Sequence, residues 1–167
     1  DEERGSAAAV RSHLNQTYRR IEVIAIDDQS SDRTAQVAAD AAAGDERFHI
    51  IRGEPLPDGW IGKSWACWQG ARHATGEWLL FSDADVVHAP DALAHCLALA
   101  TRLDRGGLTL VPRVETVTAA ERLVMPAAAT LIQRRFTPIV GKSTFPAFGK
   151  RITLAGWPRC ARRPRIL

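Results

Sequence analysis

Short apolar runs alternate with stretches of helical period along most of this chain. Residues 4–16 predict a first helix with an alanine-rich centre. The run IEVIAI at 21–26 is short and β-branched, which predicts a buried strand. It ends in DDQSSD, where Ser31 or Asp32 can cap a helix reaching about residue 43. A second strand is predicted at 48–51. Beyond a Pro/Gly loop, residues 63–74 read as a helix that Gly76 stops. EWLLFS at 77–82 predicts a third strand, 91–103 a helix, and 108–111 a fourth strand. This alternation predicts an α/β domain of βαβ units around a mostly parallel, doubly wound sheet.

The two ends break the pattern. Such sheets normally open on a strand, whereas this chain opens on the helix start DEERGS. The tail KRITLAGWPRCARRPRIL shows neither period and is punctuated by Arg and Pro. We therefore expect a fragment with its first strand missing and a tail read in a shifted frame. A terminal domain with a loose basic tail is the alternative.

Composition narrows the class. A chain of 167 residues suits one domain with a sizeable core, and 46% hydrophobic with 25% charged residues is ordinary for a globular protein. The formal net charge of +3 is carried largely by Arg151, Arg159, Arg162, Arg163 and Arg165, so a nucleic-acid partner is not expected. Aromatic–basic repeats of single-strand binders are absent as well. Cys67, Cys96 and Cys160 form no Cys-x-x-Cys pair, which argues against a zinc site or disulfide framework and suits thiols in a reducing cytosol. No apolar run reaches the roughly 18 residues of a membrane span.

The stretch PLPDGWIGKSWACWQG contains Gly62-Lys63-Ser64, the end of a P-loop. A full P-loop needs glycine five positions before Gly62, and Pro57 stands there. Proline lacks the N–H and the free φ that a phosphate cradle requires. Gly-Lys-Ser can simply start a helix. Alternatively, a helix N-terminus bearing one lysine is itself a diphosphate site.

Acidic pairs favour the second reading. Asp83 and Asp85 follow a predicted strand two residues apart, and in extended backbone such residues point the same way. Two carboxylates so placed can hold Mg²⁺ or Mn²⁺ bridged to substrate phosphates; solvated turn residues are the plainer reading. Asp27 and Asp28 end another strand. Parallel strands emerge on one edge, so both pairs and Lys63 should face one crevice, a nucleotide-diphosphate constellation.

IEVIAIDDQSSDRT, GWIGKSWACWQGARHATGEWLLFSDADVVHAPDAL and ERLVMP closely resemble bacterial family-2 glycosyltransferases of GT-A fold. The likeness covers about residues 1–148 and is nearest to the subgroup linked to hopanoid and carotenoid biosynthesis. It implies a GT-A, Rossmann-like sheet with helices on both faces. Residues 1–112 would form the nucleotide-sugar-binding half, 113–148 the start of an acceptor half, and 149–167 the anomalous basic tail.

By resemblance, Asp28 contacts the nucleotide base, Lys63 lies against the bound nucleotide, Asp85 ligates the metal directly and Asp83 sits near ribose or sugar. The implied reaction is an inverting displacement from a nucleotide-diphosphate sugar by an acceptor hydroxyl, assisted by Mg²⁺ or Mn²⁺. The catalytic base is expected beyond the matching region; Glu115 and Glu121 are the nearby acids, and neither is assigned. The family's first strand lies centrally, so its absence would leave a gap between neighbouring strands. A binding fragment without turnover and a P-loop-like NTPase remain alternatives.

The other candidates read as structural. His88 follows the acidic motif by three residues and could approach the site, although a helix-entry histidine satisfied by solvent is the plainer expectation; His13, His49, His73 and His95 lack mutual metal spacing. Trp65 and Trp68 share a helix face and should pack in the core, whereas Trp60 on the loop could cover a sugar or base. The apolar segment 119–136, flanked by Arg122, Arg134 and Arg135, is either a buried helix or one lying on a membrane surface. The latter would suit a lipid-like acceptor and a location at the cytoplasmic face of the membrane.

Overall fold

The computed structural model describes residues 3–104, 107–110, 116, 118–122, 124, 125 and 150–154. The chain runs α1 (Glu3–Leu14), β1 (Val23–Asp27), α2 (Thr34–Ala42), β2 (Phe48–Arg52), α3 (Gly62–His73), β3 (Trp78–Phe81), α4 (Ala92–Arg102), β4 (Gly107–Leu110) and β5 (Lys150–Leu154). Each element expected between residues 4 and 111 is present, with boundaries within two residues. The expected cap of α2 by Ser31 or Asp32 is not formed: Arg33 is the N-cap residue and makes no side-chain cap bond, while Asp32, one residue earlier, accepts from the backbone N of Thr34 at 2.9 Å in a turn leading into the helix. The acid is held below the usual carboxylate range by its hydrogen bonds from Thr34, side chain first.

Every strand pair is parallel. β1 pairs with β2 in the register Val23↔Phe48 to Asp27↔Arg52. β5 lies between β3 and β4, with Trp78↔Lys150 on one side and Gly107↔Arg151 on the other. The stretch after residue 149, which shows no strand period in the sequence, thus opens on a central strand. Only five residues, KRITL, pair there, too short a run for period 2 to stand out from the Arg/Pro-rich remainder. The segment 119–136 lies outside the described residues except for 119–122, 124 and 125. Among the described residues no helix is long and apolar enough to cross a membrane.

Helices cover both faces of the first sheet. Val23 and its register partner Phe48 pack on a core of Val10, Leu14, Ala38 and Ala42 from α1 and α2. Ile26, an odd number of positions from Val23, points to the opposite face, where Gly70 of α3 lets the helix approach. A Cβ at Gly70 would stand 3.4 Å from Ile26 Cγ1.

Among the described residues β1–β2 and β3–β5–β4 are separate sheets, so β1 and β3 each hydrogen-bond along one edge. A side-chain tie holds their N-terminal ends together. Glu22 Oε1, just before β1, accepts from Thr75 N at 2.6 Å, Thr75 Oγ1 at 2.9 Å and Gly76 N at 2.9 Å, just before β3.

Helix α1 is bound to the second half by Gln16, whose solvent exposure is 0%. Its Nε2 donates to Ser12 O at 3.0 Å and Ala89 O at 2.8 Å, and its Oε1 accepts from Leu93 N at 3.0 Å. Thr17 N adds a bond to Pro90 O at 2.7 Å. Gln16→Ala removes the side-chain partner of Ala89 O and Leu93 N at a part-buried contact, which should cost about 2 kcal/mol. Urea denaturation checks this; a change under about 0.5 kcal/mol, the scale of a neutral surface substitution, would show that the amide is not holding the two halves.

Candidate functional site

The ends of β1 and β3 carry the two acidic pairs, and the loop geometry distinguishes their members. Asp27 is occupied by its own turn: its Oδ1 accepts from Ser30 N at 3.0 Å, and its carbonyl accepts from Gln29 N and Gly53 N, each at 2.8 Å. Gln29 takes φ of 58° to make this tight bend. Asp28 is left exposed at the strand end. Its carboxylate lies between two glycines: a Cβ at Gly53 would stand 3.4 Å from Oδ1, and one at Gly62 3.4 Å from Oδ2. Small residues at 53 and 62 thus give the carboxylate room beside the first residue of α3. In the sequence Gly62 stands out only as the glycine of Gly-Lys-Ser, and Gly53 carries no motif signal.

Lys63, the next residue of α3, reaches across to the other strand end. Its Nζ lies 2.5 Å from Asp83 Oδ1, with side-chain exposures of 50% and 32%. Asp28, Lys63 and Asp83 are therefore brought together at the C-terminal ends of β1 and β3.

The loop preceding α3 is a turn, not a phosphate cradle. Trp60 N donates to Pro57 O at 3.2 Å, and Gly59 takes φ of 81° between them. The loop is pinned to α3 by Gln69 Oε1, accepting from Glu54 N at 2.7 Å, and by Trp65 Nε1, donating to Glu54 O at 3.0 Å. Trp65 is buried as expected and stacks on Trp68 at 4.9 Å. Trp60 sits edge-on to Trp65 at 5.1 Å, so its ring belongs to this aromatic cluster. Arg72 lies 4.7 Å over Trp68. Beside the cluster Leu56 and Ile61 are exposed, Ile61 at 71%.

Asp83 and Asp85 are not in extended backbone. Val86 N donates to Asp83 O at 3.2 Å, so residues 83–86 form a turn, and the period-2 argument for a shared direction does not apply to them. Asp85 is exposed at the turn and backs onto α1, where a Cβ at Gly5 would come within 3.1 Å of its Cα and Cβ. Among the described residues no group of three or more His, Cys, Asp or Glu is arranged to hold a metal ion.

His88 corrects the sequence expectation. It is not a solvated residue but 8% exposed, with Nε2 2.9 Å from Ser82 Oγ across the acidic turn. Its backbone N donates to Ser12 Oγ at 3.1 Å, and Ser12 Oγ donates to Ala9 O at 2.8 Å. The His13 ring lies 4.6 Å from the His88 ring, and its Nδ1 donates to Ala9 O at 2.5 Å. Gly5 and Ser12 fall seven residues apart on one face of α1, and Gln16 just past its end continues that line, a signal legible in the sequence once the helix is known to carry a partner on that face.

Of the two acids near the end of the family-like region, Glu121 closes a capping box: it accepts from Thr118 N at 3.1 Å while its own N donates to Thr118 Oγ1 at 3.2 Å. Glu115 lies outside the described residues.

The chain matches the profile of glycosyl transferase family 2 over residues 2–147. It belongs to that family, whose members are sugar-transferring enzymes. A 4,4'-diaponeurosporenoate glycosyltransferase of Staphylococcus haemolyticus (strain JCSC1435) is 37% identical over 89 residues. That match takes in 51% of this chain and 23% of the relative, so the chain spans a minor part of the relative's length.

Burial pushes the His88 imidazole down to about 4, and the neighbouring His13 adds to the shift. Burial also lowers His13, against its hydrogen bond to Ala9 O. Between about pH 6.5 and 4 the unfolded chain therefore binds protons that the native form does not, and stability falls as pH drops through that window. His88→Gln should flatten the pH dependence of the urea midpoint; an unchanged slope would place the titration elsewhere.

Proposed function

We propose that this chain is the donor-binding part of a glycosyltransferase that moves a sugar from a nucleotide-diphosphate donor to an acceptor hydroxyl. The convergence of Asp28, Lys63 and Asp83 at the ends of two parallel strands, in a family 2 chain, carries the reading. Asp28 accepts hydrogen bonds from the base. Lys63 exchanges its Asp83 partner for phosphate oxygens of the diphosphate, offsetting their charge at the N-terminus of α3.

The donor set suits a hard divalent cation. Asp83 and Asp85 are oxygen donors on one turn, and Mg²⁺ or Mn²⁺ commonly takes one or two carboxylates and completes its shell with phosphate and water. Such an ion would supply charge stabilisation to the departing diphosphate. The acceptor hydroxyl attacks the anomeric carbon from the face opposite the diphosphate, inverting it. Its proton goes to a carboxylate that neither Asp28 nor the capping Glu121 provides.

For the acceptor, the name of the Staphylococcus relative supports a lipid-like compound. The exposed Leu56 and Ile61 beside the Trp cluster give the crevice an apolar rim that such an acceptor could use. Peripheral contact with the cytoplasmic face of a membrane follows from that choice of acceptor.

Calorimetric titration tests the reading. UDP should bind in the presence of Mn²⁺ and not in its absence, and Asp85→Ala should weaken binding about 10- to 100-fold, the scale of losing a charged contact. ATP hydrolysis insensitive to Asp85→Ala would overturn it in favour of an NTPase. Turnover of labelled nucleotide sugars separates transfer from binding alone.

A further inference from the structure

We infer that His88 is a positioning residue for the acidic turn, acting as a brace between the strand end that carries Asp83 and the helix α1 that backs Asp85. This rests on the nucleotide–cation reading of the turn. The turn 83–86 would otherwise be a poor holder of a cation: it is short, Asp85 is exposed, and its own backbone supplies one hydrogen bond, Val86 N to Asp83 O.

Two sets of contacts fix it from behind. The Ser82–His88 bond of 2.9 Å spans the turn from the residue before Asp83 to the residue three after Asp85, closing it as a loop. The Ser82 hydroxyl also lies 3.2 Å from Asp83 O and donates to it. A serine has one proton, so with that proton on Asp83 O, the Ser82 oxygen accepts from His88 Nε2–H. The chain His88 Nε2–H, Ser82 O–H, Asp83 O then ends on the backbone of the acidic residue itself.

The second set anchors the brace to α1. His88 N donates to Ser12 Oγ, which donates to Ala9 O. About two turns toward the N-terminus the same helix meets Asp85 at Gly5, and just past its C-terminal end Gln16 binds Ala89 and Leu93. The α1 face thus follows the segment 85–93 in order, and His88 is the point where that face is coupled to Ser82. Partners behind a metal-binding group characteristically set its orientation, and losing one weakens metal affinity about 10- to 100-fold.

Mn²⁺ binding to the full chain at saturating UDP, followed by electron paramagnetic resonance well below each variant's melting transition, tests the inference. His88→Ala should weaken Mn²⁺ binding about tenfold and broaden the bound-Mn²⁺ spectrum, while His88→Gln, which retains a side-chain donor, should remain within about threefold of the original. Ser82→Ala should match His88→Ala, and the double variant should be no worse than either single one, because both remove the same bond. Wild-type affinity in His88→Ala would overturn the inference, as would a Gln variant as weak as the Ala variant. If His88→Ala does not fold, Ser82→Ala decides by the same measure. Wild-type Mn²⁺–UDP affinity in Asp85→Ala would instead sink the nucleotide–cation reading, and the brace with it.

Discussion

A buried amide sets the arrangement on which the rest of this structure depends. Gln16 has no contact with water and uses both ends of its side chain, giving protons to two carbonyls and taking one from the first turn of α4. An amide removed from water must find such partners, and a hydrocarbon in its place would strand the groups opposite. The register between α1 and the β3–α4 connection is therefore specified, not merely favoured. Given that register, Ser12 falls under His88 and Gly5 under Asp85. The polar stripe on an otherwise alanine-rich helix is an alignment device for the acidic turn.

The sheet itself does not perform this alignment among the described residues, because β1 and β3 belong to different hydrogen-bonded sets. Their relative placement comes from side chains at both ends: Glu22 with Thr75 and Gly76 below, and Lys63 with Asp83 above. The cluster of Asp28, Lys63 and Asp83 lies across this division, so groups from both halves meet in it. A carboxylate from the first half and a carboxylate from the second flank the N-terminus of one helix. The ion pair there is half in water and contributes little to stability. Its consequence is chemical, since a lysine held beside an acid can exchange that partner for phosphate oxygens.

Most of the fold was legible in the sequence because its elements are short and locally consistent. VIAI and WLLF are short continuous apolar runs bounded by polar and turn residues, and the helices between them carry their own stops. β5 was not legible, because a five-residue strand gains its identity from two neighbours that are far away in sequence. The candidate residues Asp28, Lys63, Asp83 and Asp85 could be placed at strand ends and a helix start from the sequence. Resemblance gave them different expected roles, but their contacts were not legible: that Asp27 is consumed by its turn, or that Asp83 pairs with Lys63 while Asp85 backs onto α1. His88 was misread as solvated for the same reason. Its burial depends on Ser12 and His13, more than seventy positions earlier in the chain.

The central claim is that these four residues form one crevice for a nucleotide diphosphate and a divalent cation. Paramagnetic broadening of backbone amide signals by Mn²⁺ in the presence of UDP measures this most directly, because the effect falls steeply with distance from the ion. The account predicts loss of signals at residues 83–86 and 62–64, a weaker effect at 28, and intact signals in α2 and β2. Broadening centred away from the Asp83–Asp85 turn, or equal with and without UDP, would contradict it.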